Sequence, residues 1–392
     1  MTEGPYKLPE GWRWVRLGEV CKPTERRDPT KEPESTFQYV DISSVDNATG
    51  EIIGAKELLG KEAPSRARKV IRSNDVIFAT TRPYLKNIAI VPPELDGQIC
   101  STGFCVLRAN EATLEPRFLF YVCRSDLVVE QLSQGNMRGA SYPAVTDKDV
   151  FDSIIPLPPL AEQQRIVARI EELMDRVREA RRLRQEAQED AERLWQSVLA
   201  QTFPRPGSDL PEGWRWVRLE EVCEIWDSLR KPVKKKYRHP GNVPYCGANG
   251  VIDYVDGFTH FGEFVLLAED GGFYGPGEFS AYMMKGRFWA NNHVHILRGK
   301  PDQLLNQLLY HWLVTCDLRP FLTGATRPKL TQGAMRSILI PLPPLAEQRR
   351  IVAHLEAMQE RLKALKEAQA ATEAELKRLE QAILEKAFRG EL

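Results

Sequence analysis

Pro156-Leu-Pro-Pro-Leu-Ala-Glu-Gln163 is the stretch that decides the fold, because the same eight residues return unchanged as Pro341-Leu-Pro-Pro-Leu-Ala-Glu-Gln348. Proline fixes φ and keeps the preceding residue out of the helical region, so each PLPPL run is extended and stiff. The chain after each copy has the opposite character. No glycine or proline occurs from Ala161 to Phe203 or from Ala346 to Arg389, and both stretches are rich in Ala, Leu, Glu, Arg and Gln, which predicts two long helices. Apolar residues step along the first in threes and fours: Ile166, Ile170, Leu173, Val177, Ala180, then Ala187, Ala191, Leu194 and Val198. Their counterparts are Ile351, Leu355, Met358, Leu362, Leu365, Thr372, Leu376, Leu379 and Ile383. Such narrow seams need a partner helix, and the two in one chain predict an antiparallel coiled coil. Pro204 after the first and Gly390 after the second are stop signals.

A second repeat lies upstream. Leu8-Pro-Glu-Gly-Trp-Arg-Trp-Val-Arg-Leu17 recurs as Leu210 to Leu219, an offset of 202, whereas the PLPPLAEQ copies are 185 apart. The 17-residue difference lies between the two shared blocks. Gly139-Ala-Ser-Tyr-Pro-Ala-Val-Thr146 aligns with Gly324-Ala-Thr-Arg-Pro-Lys-Leu-Thr331 at the offset of 185, which places the length change upstream of it. From Lys22 to Met137 and from Glu224 to Thr323 no alignment is visible. One unit is therefore present twice, its ends kept and its interiors diverged. The divisions expected are a globular domain over 1–159, a long helix over 160–203, a second globular domain over 204–344 and a second long helix over 345–392.

The interiors carry short strand-like runs, Phe37 to Ile42, Val76 to Ala79, Ile88 to Val91 and Phe104 to Leu107, then a helix from Pro116 to Leu132. The second has Phe264 to Ala268, Phe279 to Met283 and His293 to Leu297, then a helix from Pro301 to Leu313. Strands succeeded by a helix make the fold class α+β. Basic, amide and aromatic residues gather between these elements, as sequence readers of DNA require. In the first domain the candidates for DNA contact are Arg66, Arg68 and Lys69; Arg82, Tyr84 and Lys86; and Arg138 with Tyr142. In the second they are Lys235, Lys236, Tyr237 and Arg238; Asn291 and Asn292; and Arg327 with Lys329. The glycine-rich run after Glu269-Asp270 reads as a turn beside the DNA.

Composition removes other classes. Of 392 residues 42% are hydrophobic and 28% charged, with no apolar run long enough for a membrane span and no secretory signal, so a cytoplasmic protein is expected. Seven scattered cysteines include no C-x-x-C pair, and the six histidines have no ligand spacing beyond His293-x-His295; neither disulfides nor a metal is expected. No phosphate-binding loop and no methyltransferase Asn-Pro-Pro-aromatic motif occurs, so no chemistry of its own is expected. Fifty-four basic and fifty-four acidic side chains cancel, which is weak for a protein gripping nucleic acid unaided.

The duplicated LPEGW start, the PLPPLAEQ lead into a long helix and the closing Ala-Phe-Arg-Gly-Glu-Leu392 resemble the specificity subunits of Type I restriction-modification systems, over essentially the whole chain. The resemblance implies two target-recognition domains, each reading one half of a split site in double-stranded DNA, separated by an antiparallel coiled coil that sets the gap. It implies two methyltransferase subunits docked on the long helices and their PPLAEQ leads, with Leu160, Gln163, Leu345 and Gln348 at that contact, and restriction endonuclease/translocase subunits joining them. This chain would hold no cofactor; its partners would bind S-adenosylmethionine, ATP and Mg²⁺. The competing reading is a duplicated coiled-coil adaptor without DNA specificity.

Overall fold

A computed structural model describes residues 3–133, 143–324 and 326–392, which form two compact units: Met1–Leu183 with Ala370–Leu392, and Arg184–Gln369. Each unit contains one globular domain and a pair of helical segments, and each is built by the same rules.

In the first unit the duplicated ends meet. Arg13–Arg16 pairs antiparallel with Ile154–Leu157, Arg13 opposite Leu157 and Arg16 opposite Ile154. In the second unit Arg215–Arg218 pairs with Leu339–Leu342 in the same register. The turn into each strand is closed by a Trp N–H on a proline carbonyl, Trp12 on Pro9 and Trp214 on Pro211. Gly11 (φ 82°) and Gly213 (φ 79°) take the left-handed conformation this turn demands. Two blocks at opposite ends of a domain's sequence are thus one ribbon in space, and neither can drift without the other.

Behind the ribbon lies a four-stranded sheet in the order Cys21–Lys22, Phe104–Ala109, Val76–Ala79, Ile88–Ile90. The strand Val76–Ala79 is buried on both faces. Val76 and Phe78 join Cys105, Leu107, Phe118 and Leu119 in the main core, while Ile77 and Ala79 join Phe104, Val106 and Ala89 on the opposite face. Period-two alternation divides a continuous apolar run between two cores. A second sheet, Lys56–Leu59, Thr36–Val40, Ile99–Ser101, Ala67–Val70, covers the opposite face. The helix expected from Pro116 to Leu132 is two, Pro116–Arg124 and Asp126–Ser133, broken where Ser125 turns extended.

The second unit repeats the first sheet as Cys223–Ile225, Val294–Gly299, His260–Ala268 and Ala281–Ala290, then extends it with the hairpin Pro240–Gly247 and Gly250–Val255 into six strands. The shared strands show where the domains differ in length. Most of the difference falls between Lys22 and Val76, against Glu224 and Val265, where the first domain builds its additional sheet. The helix expected from Pro301 begins at Asn306 and ends at Thr315, because residues 300–305 form a turn whose backbone is engaged by another element.

The long helices are Leu160–Thr202 and Leu345–Arg389. In the first unit they run antiparallel: Arg181 reaches Glu373 at 3.2 Å and Glu380 at 2.6 Å, and the Arg165 guanidinium donates to the carbonyl of Leu392 at 2.9 Å. In the second unit the same sense is set by Lys366 on Glu192 at 3.0 Å and by Arg184 on the carbonyl of Gln369. The apolar seam departs from the expected one. Ile166, Ile170 and Val177 are buried as expected, with Leu376 and Ile383, but Leu194, Leu365 and Leu379 are exposed. Near the ends of the helices the buried stripe turns toward the globular domains, taking Leu199 and Phe203 into the second core and Leu384, Ala387 and Phe388 into the first. A strict heptad read along an α-helix drifts by ~20° per repeat against its 3.6-residue turn, which moves the later positions off the seam.

Candidate nucleic-acid interface and its support

The PLPPLAEQ glutamines are clamps, which corrects their expected role at a partner surface. Gln163 is fully buried: its amide nitrogen donates to the carbonyls of Thr113 and Pro158, both at 2.9 Å, and its oxygen accepts the Glu115 N–H at 2.8 Å. Gln348 makes the same three bonds, to Gln303 at 2.8 Å, Pro343 at 3.0 Å and Leu305 at 2.9 Å. Each clamp ties the first turn of a long helix to the loop that precedes the domain's own helix, fixing the angle at which the long helix leaves. Leu160 and Leu345 lie at the same junctions, Leu160 half-buried and each at the first position of its helix.

The candidate reading surfaces lie where the central strand ends. In the first domain Val145 N–H bonds Thr80 O at 2.9 Å, and Thr80 N–H bonds Gly103 O at 2.9 Å. In the second, Leu330 N–H bonds Glu269 O at 2.8 Å, and Glu269 N–H bonds His293 O at 2.9 Å. Thr81 bridges Ala144 as Asp270 bridges Lys329. The duplicated GASYPAVT and GATRPKLT segments are therefore stitched, at their described ends, to one and the same strand end in each domain. Their final threonines cap the next helix, Thr146 accepting the Asp149 N–H and Thr331 that of Ala334. Three residues past each bridge an aromatic side chain stands exposed, Tyr84 and Phe273.

Not every basic candidate faces outward. Lys69 is buried, its Nζ held 2.6 Å from Phe104 O and 2.5 Å from an Asp147 oxygen, so it anchors the turn rather than reaching DNA. Lys86 is tied to Asp126 at 2.7 Å and to Gln381 of the second long helix at 3.0 Å. Arg238 pairs with Asp253 at 2.8 Å and lies over the Tyr245 ring. Asn291 is buried, its oxygen accepting the His293 N–H at 2.8 Å. These four are framework: a cation or amide beside a strand end satisfies buried acceptors as readily as it reads a base. Arg66, Lys235, Lys236, Tyr237, Asn292 and Arg327 are exposed. The side chains of Arg68 and Lys329 are part-exposed, each beside an acidic partner, Asp28 and Glu269. Arg138 and Tyr142 lie outside the described residues. Arg82 sits in the left-handed conformation (φ 51°), as does Lys86 (φ 53°), holding Tyr84 and Leu85 out on a tight turn; such strain is retained where surrounding structure enforces it.

A buried polar network that no local motif signals supports the second surface. Asp227 accepts from the His295 ring at 2.6 Å, the Ile296 N–H at 2.8 Å and the Gln332 amide at 3.0 Å. Burial favours the neutral form of Asp227, but the hydrogen bond and charge of His295, the Ile296 N–H and Arg230 outweigh it and hold the carboxyl below the usual range. Glu269 is likewise lowered against its burial, by Lys329 at 2.7 Å and by Arg230. Asp227, Glu269 and His295 bring ligand-type atoms within 4.8 Å of one another. The same carboxylates are already occupied by Arg230 and Lys329, so the cluster carries its own cations and has the composition of a salt-bridge network, not of an open metal site. No two of the seven cysteines are joined, and six of them are buried.

The family model described as Type I restriction modification DNA specificity domain matches residues 9–188 and 211–375, one match for each globular domain with its helical segment. The chain belongs to the Type I restriction-modification DNA specificity family. A putative type I restriction enzyme specificity subunit of Haemophilus influenzae is 49% identical over 143 residues, which span 36% of this chain and 37% of that protein. The EcoDI specificity subunit of Escherichia coli is 22% identical across 71% of this chain and 70% of its own length. Among solved structures, the HsdS subunit from Thermoanaerobacter tengcongensis is 54% identical, with full coverage of both chains and a TM-score of 0.67. A chain solved in work on complex assembly and conformational transition of the type I R-M system is also 54% identical, covers 99% of this chain and gives a TM-score of 0.84. The adaptor reading finds no support in these relatives. The protein is a specificity subunit, the non-catalytic part of its system.

Proposed function

We propose that each globular domain reads one half of a split site in double-stranded DNA, that the antiparallel helices fix the unread gap, and that two methyltransferase subunits dock on those helices. One observation carries this reading: the two domains share ribbon, sheet, glutamine clamp and the stitching of the turn to the strand end, yet differ in the side chains presented there. A common frame presenting different readers suits two unlike half-sites. Thr80-Thr81-Arg82 in one domain stands where Glu269-Asp270-Gly271 stands in the other.

Docking of methyltransferase subunits is supported by leucines that neither the seam nor the cores use. Leu379 is 48% exposed and lines a groove of about 360 Å³ with Leu173, Val177 and Leu376 in the first unit; Leu194 is 53% exposed in the second. A contiguous apolar groove on a helix face is the kind of surface that a partner covers in an assembly. Endonuclease/translocase subunits would complete the restriction complex, and S-adenosylmethionine, ATP and Mg²⁺ would be bound by these partners. Near-zero net charge fits a reader whose grip on phosphates is shared with other subunits. Among the described residues no helix is long and apolar enough to cross a membrane, and the proposed substrate places the complex in the cytoplasm.

Exchange of residues 22–137 for the corresponding interior of another specificity subunit tests the assignment. The first half of the methylated motif is expected to change while the second half stays; an unchanged first half contradicts it.

A further inference from the structure

We propose that Arg327 of the second domain reads a guanine in the half-site of that domain, and that Asp270 is the residue that positions it. The inference rests on the DNA-reading role proposed above and assigns a specificity-determining pair to it. Arg327 is exposed, its side chain 71% accessible, and its Nη2 lies 3.5 Å from Asp270 Oδ1. The same oxygen holds His293 Nδ1 at 2.5 Å, and His293 is itself half-exposed. One carboxylate therefore sets two donor-bearing side chains next to each other at the rim of the domain.

Asp270 is rigidly placed for this task. Its side chain is 12% accessible, and its backbone bridges Lys329, two residues beyond Arg327. Thr323 and Lys329 exchange backbone hydrogen bonds at 2.9 and 2.8 Å, closing the loop that carries Arg327. Beneath it Glu269 anchors Lys329 from inside. The loop base is thus fixed on both sides, and the exposed Arg327 guanidinium lies within ion-pair distance of Asp270. Holding a guanidinium before binding reduces the rotamer entropy that base contact would otherwise cost. A guanidinium presented from a loop closed at its base matches the O6 and N7 acceptors of guanine in the major groove, the commonest specific contact between proteins and DNA. Among the described residues, the matching place in the first domain carries a different set of groups. There Thr80 and Thr81 occupy the strand end and Ala144 takes the position of Lys329, so the effect is confined to one half-site.

The test uses the assembled methyltransferase, with this chain bearing Arg327→Ala, Asp270→Asn or, as a charge control in the same domain, Arg319→Ala. The readout is the sequence of methylated sites across a genome. With Arg327→Ala the preference for guanine at one position of the second half-site is expected to fall at least about tenfold, while the first half-site and the gap are unchanged. Asp270→Asn is expected to relax the same position, and Arg319→Ala none. A merely structural role would lower the methylated fraction without altering the motif. Retention of every base preference by Arg327→Ala overturns the proposal. If Asp270→Asn abolishes modification, Arg327→Ala alone decides, since its side chain is exposed and carries no core contact. A wild-type complex with no split motif would instead overturn the DNA-reading role itself.

Discussion

Replacing Gln163 by leucine is expected to lower the unfolding free energy of the first domain by about 1 to 3 kcal/mol. Leucine has nearly the volume of glutamine and no hydrogen-bonding group. The change strands the Glu115 N–H and the carbonyls of Thr113 and Pro158, all now satisfied by one buried side chain. The Pro158 carbonyl, whose bond to Gln163 is buried, costs ~1–3 kcal/mol when left without a partner, whereas the part-buried Thr113 and Glu115 groups can regain water. Gln348→Leu is expected to do the same to the second domain, because its three bonds are the same. Chemical denaturation followed by far-ultraviolet circular dichroism and tryptophan fluorescence checks both. Unchanged stability with weakened assembly would return these residues to a partner surface. The clamp also accounts for the repetition of PLPPLAEQ: the prolines set the approach, and the glutamine fixes the departure of the helix.

Replacing Asp227 by alanine is expected to cost the second domain about 3 to 5 kcal/mol, the usual loss when one partner of a buried ionic network is removed. It would leave the Ile296 N–H and Gln332 amide without their acceptor and Arg230 and His295 short of an anion. The network also makes stability depend on pH. Asp227 and Glu269 are both held below their ordinary values in the folded protein. The stability they contribute is therefore present above the carboxylate range of an unfolded chain and is lost as acid carries the pH down through the lowered folded values. His311 acts in the same direction at milder pH. Burial pushes its imidazole down to about 4, so between the ordinary histidine value near 6.5 and about 4 the unfolded chain binds a proton that the folded one refuses. Stability measured by denaturation should fall from neutral pH toward about pH 4, and Asp227→Ala should flatten the acid end of that curve. A curve of unchanged shape in the variant would contradict this role of the network.

Much of the architecture is legible in the sequence because repetition reports constraint twice. The LPEGW and PLPPLAEQ blocks, the long helices and the strands at Val76, Ile88, Phe104 and Val294 all carry local signals that the fold obeys. The hairpin at Pro240–Gly247 and Gly250–Val255 is hidden because Pro240, Gly241 and Pro244 read as a loop; at the outer end of a sheet, with the register shifting beside Pro240, those residues are tolerated. Only the start of the strand Ala281–Ala290 is visible, since Lys285, Gly286 and Arg287 interrupt the apolar pattern where that strand is exposed.

The site is less legible than the fold. Residue type alone does not distinguish a lysine that anchors a turn, as Lys69 does, from one whose side chain stands exposed, as those of Lys235 and Lys236 do. Glu269, Asp270 and His293 do not stand out as readers, because acidic residues argue against DNA contact when counted singly. Their value lies in what they hold, and that depends on a strand end and a turn far apart in sequence. The one local clue is the contrast between Thr-Thr-Arg and Glu-Asp-Gly at the close of equivalent strands, which only the shared backbone bonds make visible.

The most direct measurement is the genome-wide methylation pattern of a host carrying this chain with its methyltransferase subunits, set against the same host lacking only this chain. A single split motif, with two unlike halves around a fixed gap, that disappears when the chain is removed is the expected result. An unchanged pattern with an active methyltransferase would contradict the claim that this chain selects the DNA.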